Sequence, residues 1–104
     1  MDTLARVKRL VLRRQVLFTE KAEDEIAAEG LTHDLVYEAI VNASRISKTL
    51  RSRNPKSGKR EMLYVIKGVT FDGIEIYTKG KILRRQGQDV FYVLISSKRS
   101  TDVW

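Results

Sequence analysis

Polar and apolar side chains alternate along one short stretch near the middle of the chain. The polar positions are Glu75, Tyr77, Lys79 and Lys81, and the apolar face carries Ile74, Ile76, Thr78 and Ile82. Because the side chains of a strand point alternately to the two faces of a sheet, one face presents a carboxylate, a phenol and two ammonium groups. Such a row is suited to binding a phosphate chain and to proton transfer on it. The alternative is the solvated outer face that antiparallel sheets commonly have.

Cleavage of RNA without a metal needs three chemical roles, and this chain has side chains for each. A base takes the proton of a 2′-hydroxyl, cations offset the charge of the phosphorane, and an acid protonates the leaving 5′ oxygen. The base candidates are Glu61, Glu75 or a deprotonated lysine, while Tyr77 can orient the phosphate or act as the acid. The candidate cations are Lys48, Arg60, Lys79 and Lys98.

The charge of the chain is divided unevenly between its two halves. Residues 1–43 contain six Lys and Arg and eight Asp and Glu, whereas residues 44–104 contain fourteen and five. A basic excess of this size favours a polyanion, most simply nucleic acid. The chain has no cysteine and one histidine, His33, which we expect at the surface, so no metal or cofactor is expected. Without an apolar run of membrane-spanning length or a signal peptide, we expect a cytoplasmic protein with no membrane partner.

Three helices are predicted in the acidic half. Asp2 or Thr3, Thr19 and Thr32 are suitable N-caps for helices over residues 2–14, 20–29 and 33–43. Gly30 is suited to end the second helix. The apolar residues 15–18 indicate either an edge strand or a hydrophobic staple before the second helix.

From residue 44 the apolar pattern changes from helical period to period two. A strand through Ile46, Lys48 and Leu50 is predicted, followed by a hairpin of residues 62–69 and 74–82 around an Asp-Gly turn. After a turn at residues 83–88, the continuous apolar run 90–95 predicts a central strand buried on both faces. A loosely ordered tail follows at residues 100–104, in which Trp104 can dock back. The sequence predicts one α+β domain, with three N-terminal helices (about 2–43) packed on a four-stranded, mainly antiparallel sheet (about 44–99).

The loop predicted at residues 52–59 is rich in cations. It holds the only proline of the chain together with Asn, Ser and Gly, which are typical of turns. We expect a mobile arm that can close over a phosphate backbone. The predicted RNA-binding residues are Arg51, Arg53, Lys56, Lys59, Arg60, Lys79 and Lys81.

Scattered positions over residues 16–99 share their spacing with one protein family. They are Phe18-Thr19, Ala22, Gly30-Leu31-Thr32, Val36, Ala39-Ile40, Asn42, Ile46, Lys48, Tyr64-Val65-Ile66-Lys67-Gly68 and Ile76-Tyr77-Thr78-Lys79. In these positions the chain resembles the MqsR-type toxins, within the RelE-like group of toxin–antitoxin ribonucleases. The resemblance implies an mRNA interferase that needs no metal and is neutralised by a cognate antitoxin protein. It maps the family's active-site Lys, Tyr and Lys onto Lys48, Tyr77 and Lys98, and its Gln near Arg60 and Glu61, where this chain has none.

Three functional hypotheses follow. The first is the toxin of a bacterial type II pair, an endoribonuclease acting on single-stranded RNA, free or on the ribosome, with Lys48, Glu61, Tyr77 and Lys98 as its catalytic residues. The second is a non-catalytic nucleic-acid-binding module that stacks bases on Tyr64, Tyr77 or Tyr92. The third is a protein-interaction domain whose basic groove receives an acidic peptide.

Overall fold

The computed structural model describes residues 2–100, which form three helices and five strands. The elements are α1 (Thr3–Leu12), β1 (Val16–Phe18), α2 (Glu20–Ala28), α3 (His33–Asn42), β2 (Lys48–Arg53), β3 (Arg60–Val69), β4 (Glu75–Arg85) and β5 (Gln88–Arg99). The predicted α+β class is confirmed. The tail predicted around Trp104 lies outside the described residues.

The predicted four-stranded, mainly antiparallel sheet is corrected on both points. The sheet has five strands in the order β1-β5-β4-β3-β2, and it is mixed because β1 runs parallel to β5. Val16 lies opposite Tyr92 and Phe18 opposite Leu94. Of the two interpretations of residues 15–18, an edge strand or a hydrophobic staple, the edge strand is confirmed, because β1 lies at one edge of the sheet. The predicted helical half is therefore interrupted by this strand.

The three helix starts lie where the capping side chains predict them. Asp2 Oδ1 accepts a hydrogen bond from the Ala5 amide at 2.8 Å. Thr19 and Thr32 accept from amides three residues further on, each at 3.2 Å. These bonds satisfy amide groups that the first turn of a helix leaves without intrahelical partners. All three helices end one or two residues before the predicted ends.

The helices pack on one face of the sheet, where the hydrophobic core lies. Its fully buried members include Val7, Val11, Val36, Ala39 and Ile40 from the helices and Ile66, Ile76, Tyr92 and Leu94 from the sheet. The predicted apolar face of β4 is confirmed, because Ile76 and Thr78 are both inaccessible to solvent. Alternate residues of β3, β4 and β5 therefore point to the opposite face, on which no helix of residues 2–100 packs.

The predicted burial of β5 on both faces is wrong. Tyr92 and Leu94 are fully buried under the helices, but Val93 between them and Ile95 after them are only half-buried. Val93 lies opposite Lys81 of β4, whose aliphatic stem can cover apolar surface without a second layer of helices. The turn before β5 is also tighter than predicted. It consists of Gln86 and Gly87, both with positive φ (53° and 78°), as in a two-residue hairpin turn.

A bidentate ion pair joins the first helix to the last strand. Arg6 donates from Nε and Nη2 to the two carboxylate oxygens of Asp89, both at 2.8 Å. The hydrogen bond from Arg6 is the main reason that the pKa of Asp89 lies below its ordinary value of 3.8. Two charge-assisted bonds in this geometry stabilise the contact between α1 and β5.

We expect Asp89→Asn to lower the free energy of unfolding by about 1–3 kcal/mol near neutral pH. A lowered carboxyl pKa contributes stability above the unfolded-state value, and this contribution is lost as pH falls through the folded-state value. Urea unfolding of both proteins is therefore expected to differ at about pH 7 and to converge toward about pH 2. A difference that stays constant over this range would show that the carboxylate charge is not what stabilises the contact.

Candidate nucleic-acid interface

A row of three side chains crosses adjacent strands on the sheet face opposite the helices. Tyr77 of β4 is paired with Lys67 of β3 on one side and with Lys98 of β5 on the other. The Lys98 Nζ atom lies 5.6 Å from the centroid of the Tyr77 ring, which is within the range of a cation–π contact. The phenol is thus flanked by two ammonium-bearing side chains.

Two more lysines extend this row along the sheet. Lys79 lies two residues from Tyr77 on the same face of β4, opposite Val65 of β3. Val65 in turn lies opposite Lys48 of the edge strand β2. Residues two apart along a strand are about 7 Å apart and opposite positions two strands apart are about 10 Å apart, which long side chains can span. The structure therefore gathers five residues, which we call the basic face: Lys48, Lys67, Tyr77, Lys79 and Lys98.

Glu61, predicted as a catalytic residue, is not brought to Tyr77. It lies on β3 six residues from Lys67, a separation of about 20 Å along a strand. Its carboxylate accepts hydrogen bonds from Asn54 Nδ2 at 2.9 Å and from Lys81 Nζ at 3.0 Å. These bonds, with that from Asn54 the largest influence, lower the pKa of Glu61. A lowered pKa makes a carboxylate a weaker general base.

Glu75 is the base candidate that lies near Tyr77. It occupies the neighbouring same-face position of β4, two residues before Tyr77, and is exposed. Its pairing with Val69 places it at the end of the hairpin next to the row. The structure thus favours Glu75 over Glu61 as the carboxylate that a phosphate on the basic face would meet.

The other predicted cations lie at the far end of the sheet. Lys59, Arg60 and Lys81 line a cleft of about 440 Å³ together with Glu61 and residues of β4. Arg51 and Arg53 line a neighbouring cleft of about 200 Å³, also with Arg60. Lys56 is exposed in the adjoining loop. Of the seven predicted RNA-binding residues, Lys79 belongs to the basic face, Lys81 follows it on the same face of β4, and the other five surround the far end of the sheet.

The cationic loop is more tightly held than the predicted mobile arm. It spans residues 54–59, because β2 continues to Arg53. The Asn54 side-chain oxygen accepts from the amides of Lys56 and Ser57 at 2.9 and 3.4 Å. The Gly58 amide donates to the Asn54 carbonyl oxygen at 2.7 Å. An asparagine before Pro55 is a known turn signal, so this organisation could have been inferred from the sequence.

Two of the three tyrosines predicted to stack on bases lie on the helical side of the sheet, away from the basic face. Tyr92 is fully buried, and Tyr64 packs against the core on the helical side. The absence of a side chain at Gly80 makes room for the Tyr92 ring, since a β-carbon there would lie 2.6 Å from Cζ. Tyr77 is therefore the one of these three that faces away from the helices.

Two features of the site were not identified from the sequence. Lys67 was not selected; the predicted four-residue turn at residues 70–73 would have placed it opposite Ile76, whereas the five residues between the paired Val69 and Glu75 place it opposite Tyr77. The side chains of α2 that contact β5 beside Lys98 were not identified either, because no pattern among neighbouring residues of the sequence indicates this contact. His33 is exposed as predicted, stacked on Phe18 with ring centroids 3.9 Å apart and bound to Glu23.

No metal-binding group of three or more His, Cys, Asp or Glu residues occurs within residues 2–100. None of the helices in this described part is both long and apolar enough to cross a membrane. No family model, curated protein or solved structure matches the chain. The function is therefore inferred from the geometry of the basic face and from the sequence pattern.

Proposed function

We propose that the protein binds single-stranded RNA across the basic face and cleaves it there without a metal, as the toxin of a bacterial toxin–antitoxin pair. The observation that carries this proposal is the row of Lys67, Tyr77 and Lys98 on the face without helices. Ammonium groups bind phosphate, and an aromatic ring between them can stack on an unpaired base. A cognate antitoxin protein and a cytoplasmic location belong to the same proposal.

In the proposed reaction, the bond between phosphorus and the 5′ oxygen breaks by attack from within the RNA. Glu75, or a deprotonated lysine, takes the proton of the 2′-hydroxyl, and the 2′ oxygen attacks phosphorus. Lys67 and Lys98 offset the negative charge of the phosphorane, and the Tyr77 hydroxyl protonates the leaving 5′ oxygen. The products carry a 2′,3′-cyclic phosphate and a 5′-hydroxyl. No electron transfer or additional reactant is required.

Incubation of purified protein with a mixed-sequence single-stranded RNA in EDTA tests this proposal. We expect discrete cuts ending in 2′,3′-cyclic phosphate, with the rate lowered at least about 100-fold by Tyr77→Phe, which removes the proposed acid. Lys98→Ala is also expected to lower the cleavage rate, because it removes a positive charge that stabilises the phosphorane. Arg13→Ala is a matched control, since this exposed cation lies at the end of α1. Equal cleavage by all four proteins would contradict the catalytic assignment.

A non-catalytic RNA-binding function is the second candidate. It is favoured by the engagement of Glu61 with Lys81 and Asn54, and by the position of His33 among the helices. Neither of these common acid–base groups is available beside Tyr77. In this case the same incubation would leave the RNA intact while a gel shift shows binding that weakens steeply with salt.

A further inference from the structure

Strand β5 contains one residue more than its partner β4 over the segment beside the basic face. Gly80 is paired with Leu94, but the preceding residue of β4, Lys79, is paired with Ser96. Ile95 is therefore the extra residue of a β-bulge. A bulge changes the face to which the side chains that follow it point.

This bulge determines the face on which Lys98 lies. Leu94 is buried under the helices, so strict alternation from it would turn Lys98 toward the core as well. The extra residue reverses the alternation. Ser97 is instead fully buried opposite Thr78, and Lys98 lies opposite Tyr77 on the basic face. Without the bulge, Ser97 would take the place beside Tyr77.

Helix α2 and its N-cap provide two side chains that bind the bulge where strand β1 no longer covers β5. The pairing of β1 ends at Phe18 opposite Leu94. Thr19 Oγ1 donates to the Ile95 carbonyl oxygen at 3.2 Å. Glu25 Oε1 accepts from Ser96 Oγ at 2.8 Å and from the Ser97 amide at 3.1 Å. The Glu25 carboxylate thus occupies the place of a strand partner along this part of β5.

The surroundings of Glu25 keep its carboxylate ionised near neutral pH. Burial raises the pKa of Glu25, but the hydrogen bonds from Ser96 and Ser97 and the charges of Lys21 and Lys98 together bring it below the ordinary value. Both donors of the bulge bind the same oxygen, Oε1, so the arrangement needs one acceptor oxygen at this position.

We propose that Glu25 is a positioning residue of the basic face, which sets Lys98 beside Tyr77 by holding the bulge of β5. The consequence of this positioning for RNA binding rests on the proposed function, whereas the effect of Glu25 on the position of Lys98 does not. Glu25 itself does not touch the RNA. A conservative amide at this position keeps an acceptor oxygen, so Glu25→Gln should preserve the arrangement that Glu25→Ala removes.

The position of Lys98 can be measured by NMR without any ligand. We expect a nuclear Overhauser contact between the Lys98 side chain and the Tyr77 ring in the wild type, in Glu25→Gln and in the exposed control Glu20→Ala. The contact should be lost in Glu25→Ala and weakened in Ser96→Ala, which removes one of the two donors. If Glu25→Ala does not fold, Ser96→Ala alone tests whether the contact between Glu25 and the bulge positions Lys98. An unchanged contact in whichever of these two variants folds would overturn the proposal.

A double-mutant cycle connects this arrangement to RNA binding. Glu25→Ala and Lys98→Ala should weaken binding of a single-stranded RNA by similar factors, and the double variant should bind no more weakly than either. Additive effects would show that Glu25 does not act through Lys98 and would overturn the proposal. If the wild type binds no RNA, the proposed function fails, while the NMR contact still decides whether Glu25 positions Lys98.

Discussion

The double variant Lys79→Glu/Lys98→Glu is expected to bind single-stranded RNA at least about 100-fold more weakly than the wild type at physiological salt. Both lysines lie on the face without helices, opposite Ser96 and Tyr77 respectively. Each substitution removes one phosphate contact and places a repelling carboxylate there. Because each lost contact with a single strand lowers the salt dependence by about 0.7 in log–log slope, the slope should fall by about 1.4. Titrations at several salt concentrations measure both quantities.

A matched control separates the location of the charge from its amount. Arg9→Glu/Arg13→Glu makes the same change in net charge at the C-terminal end of α1, where both arginines are exposed on the helical side. We expect a much smaller loss of affinity, because helix α1 packs on the other face of the sheet from the basic face. Equal losses in the two double variants would show that RNA responds only to the overall charge.

Gly68→Ala is expected to destabilise the fold by about 3 kcal/mol or more, at the upper end of overpacking effects. A β-carbon at Gly68 would lie 1.7 Å from the carbonyl oxygen and 2.5 Å from the carbonyl carbon of Ala39. Backbone atoms within α3 cannot rotate away as a side chain can, so the helix must move off β3. A loss of this size in the free energy of unfolding is a large share of the total stability of a small domain. Urea unfolding of the variant and the wild type measures this loss.

Gly30→Ala is the control for this prediction. Gly30 has a φ of +66°, and no neighbouring atom lies within 4 Å of the position that a β-carbon would take, so alanine there meets only backbone strain. That strain costs roughly 1–2 kcal/mol. Ala39→Gly should not rescue Gly68→Ala, because the contact is with the Ala39 backbone. A Gly68→Ala variant as stable as Gly30→Ala would contradict the close packing of α3 on β3.

The features that were predictable from the sequence are those determined by nearby residues. Thr19 and Thr32 were identified as caps because the groups that they bind lie three residues away. The apolar face of β4 followed from alternation alone, since no bulge interrupts the segment from Ile76 to Thr78. Both signals act within a few residues, where the period of a helix or strand is visible.

The features that were missed or left open depend on partners distant in the chain. Residues 15–18 were left open between an edge strand and a hydrophobic staple, because β5, the strand that pairs with β1, lies about seventy residues later. The bulge at Ile95 is held by Thr19 and Glu25, so the apolar run around it suggested uniform burial instead. Tyr92 was predicted as a residue that can stack on bases for a related reason, because the space that buries its ring is provided by Gly80 on another strand.

The most direct test of RNA binding by the basic face is an NMR titration with a short single-stranded RNA whose 2′-hydroxyls are methylated to prevent cleavage. The proposed function predicts that the largest chemical-shift changes occur at Lys67, Tyr77, Lys79 and Lys98, with smaller changes toward Lys48. Changes confined to α1, around Arg9 and Arg13, or no changes at all, would contradict it.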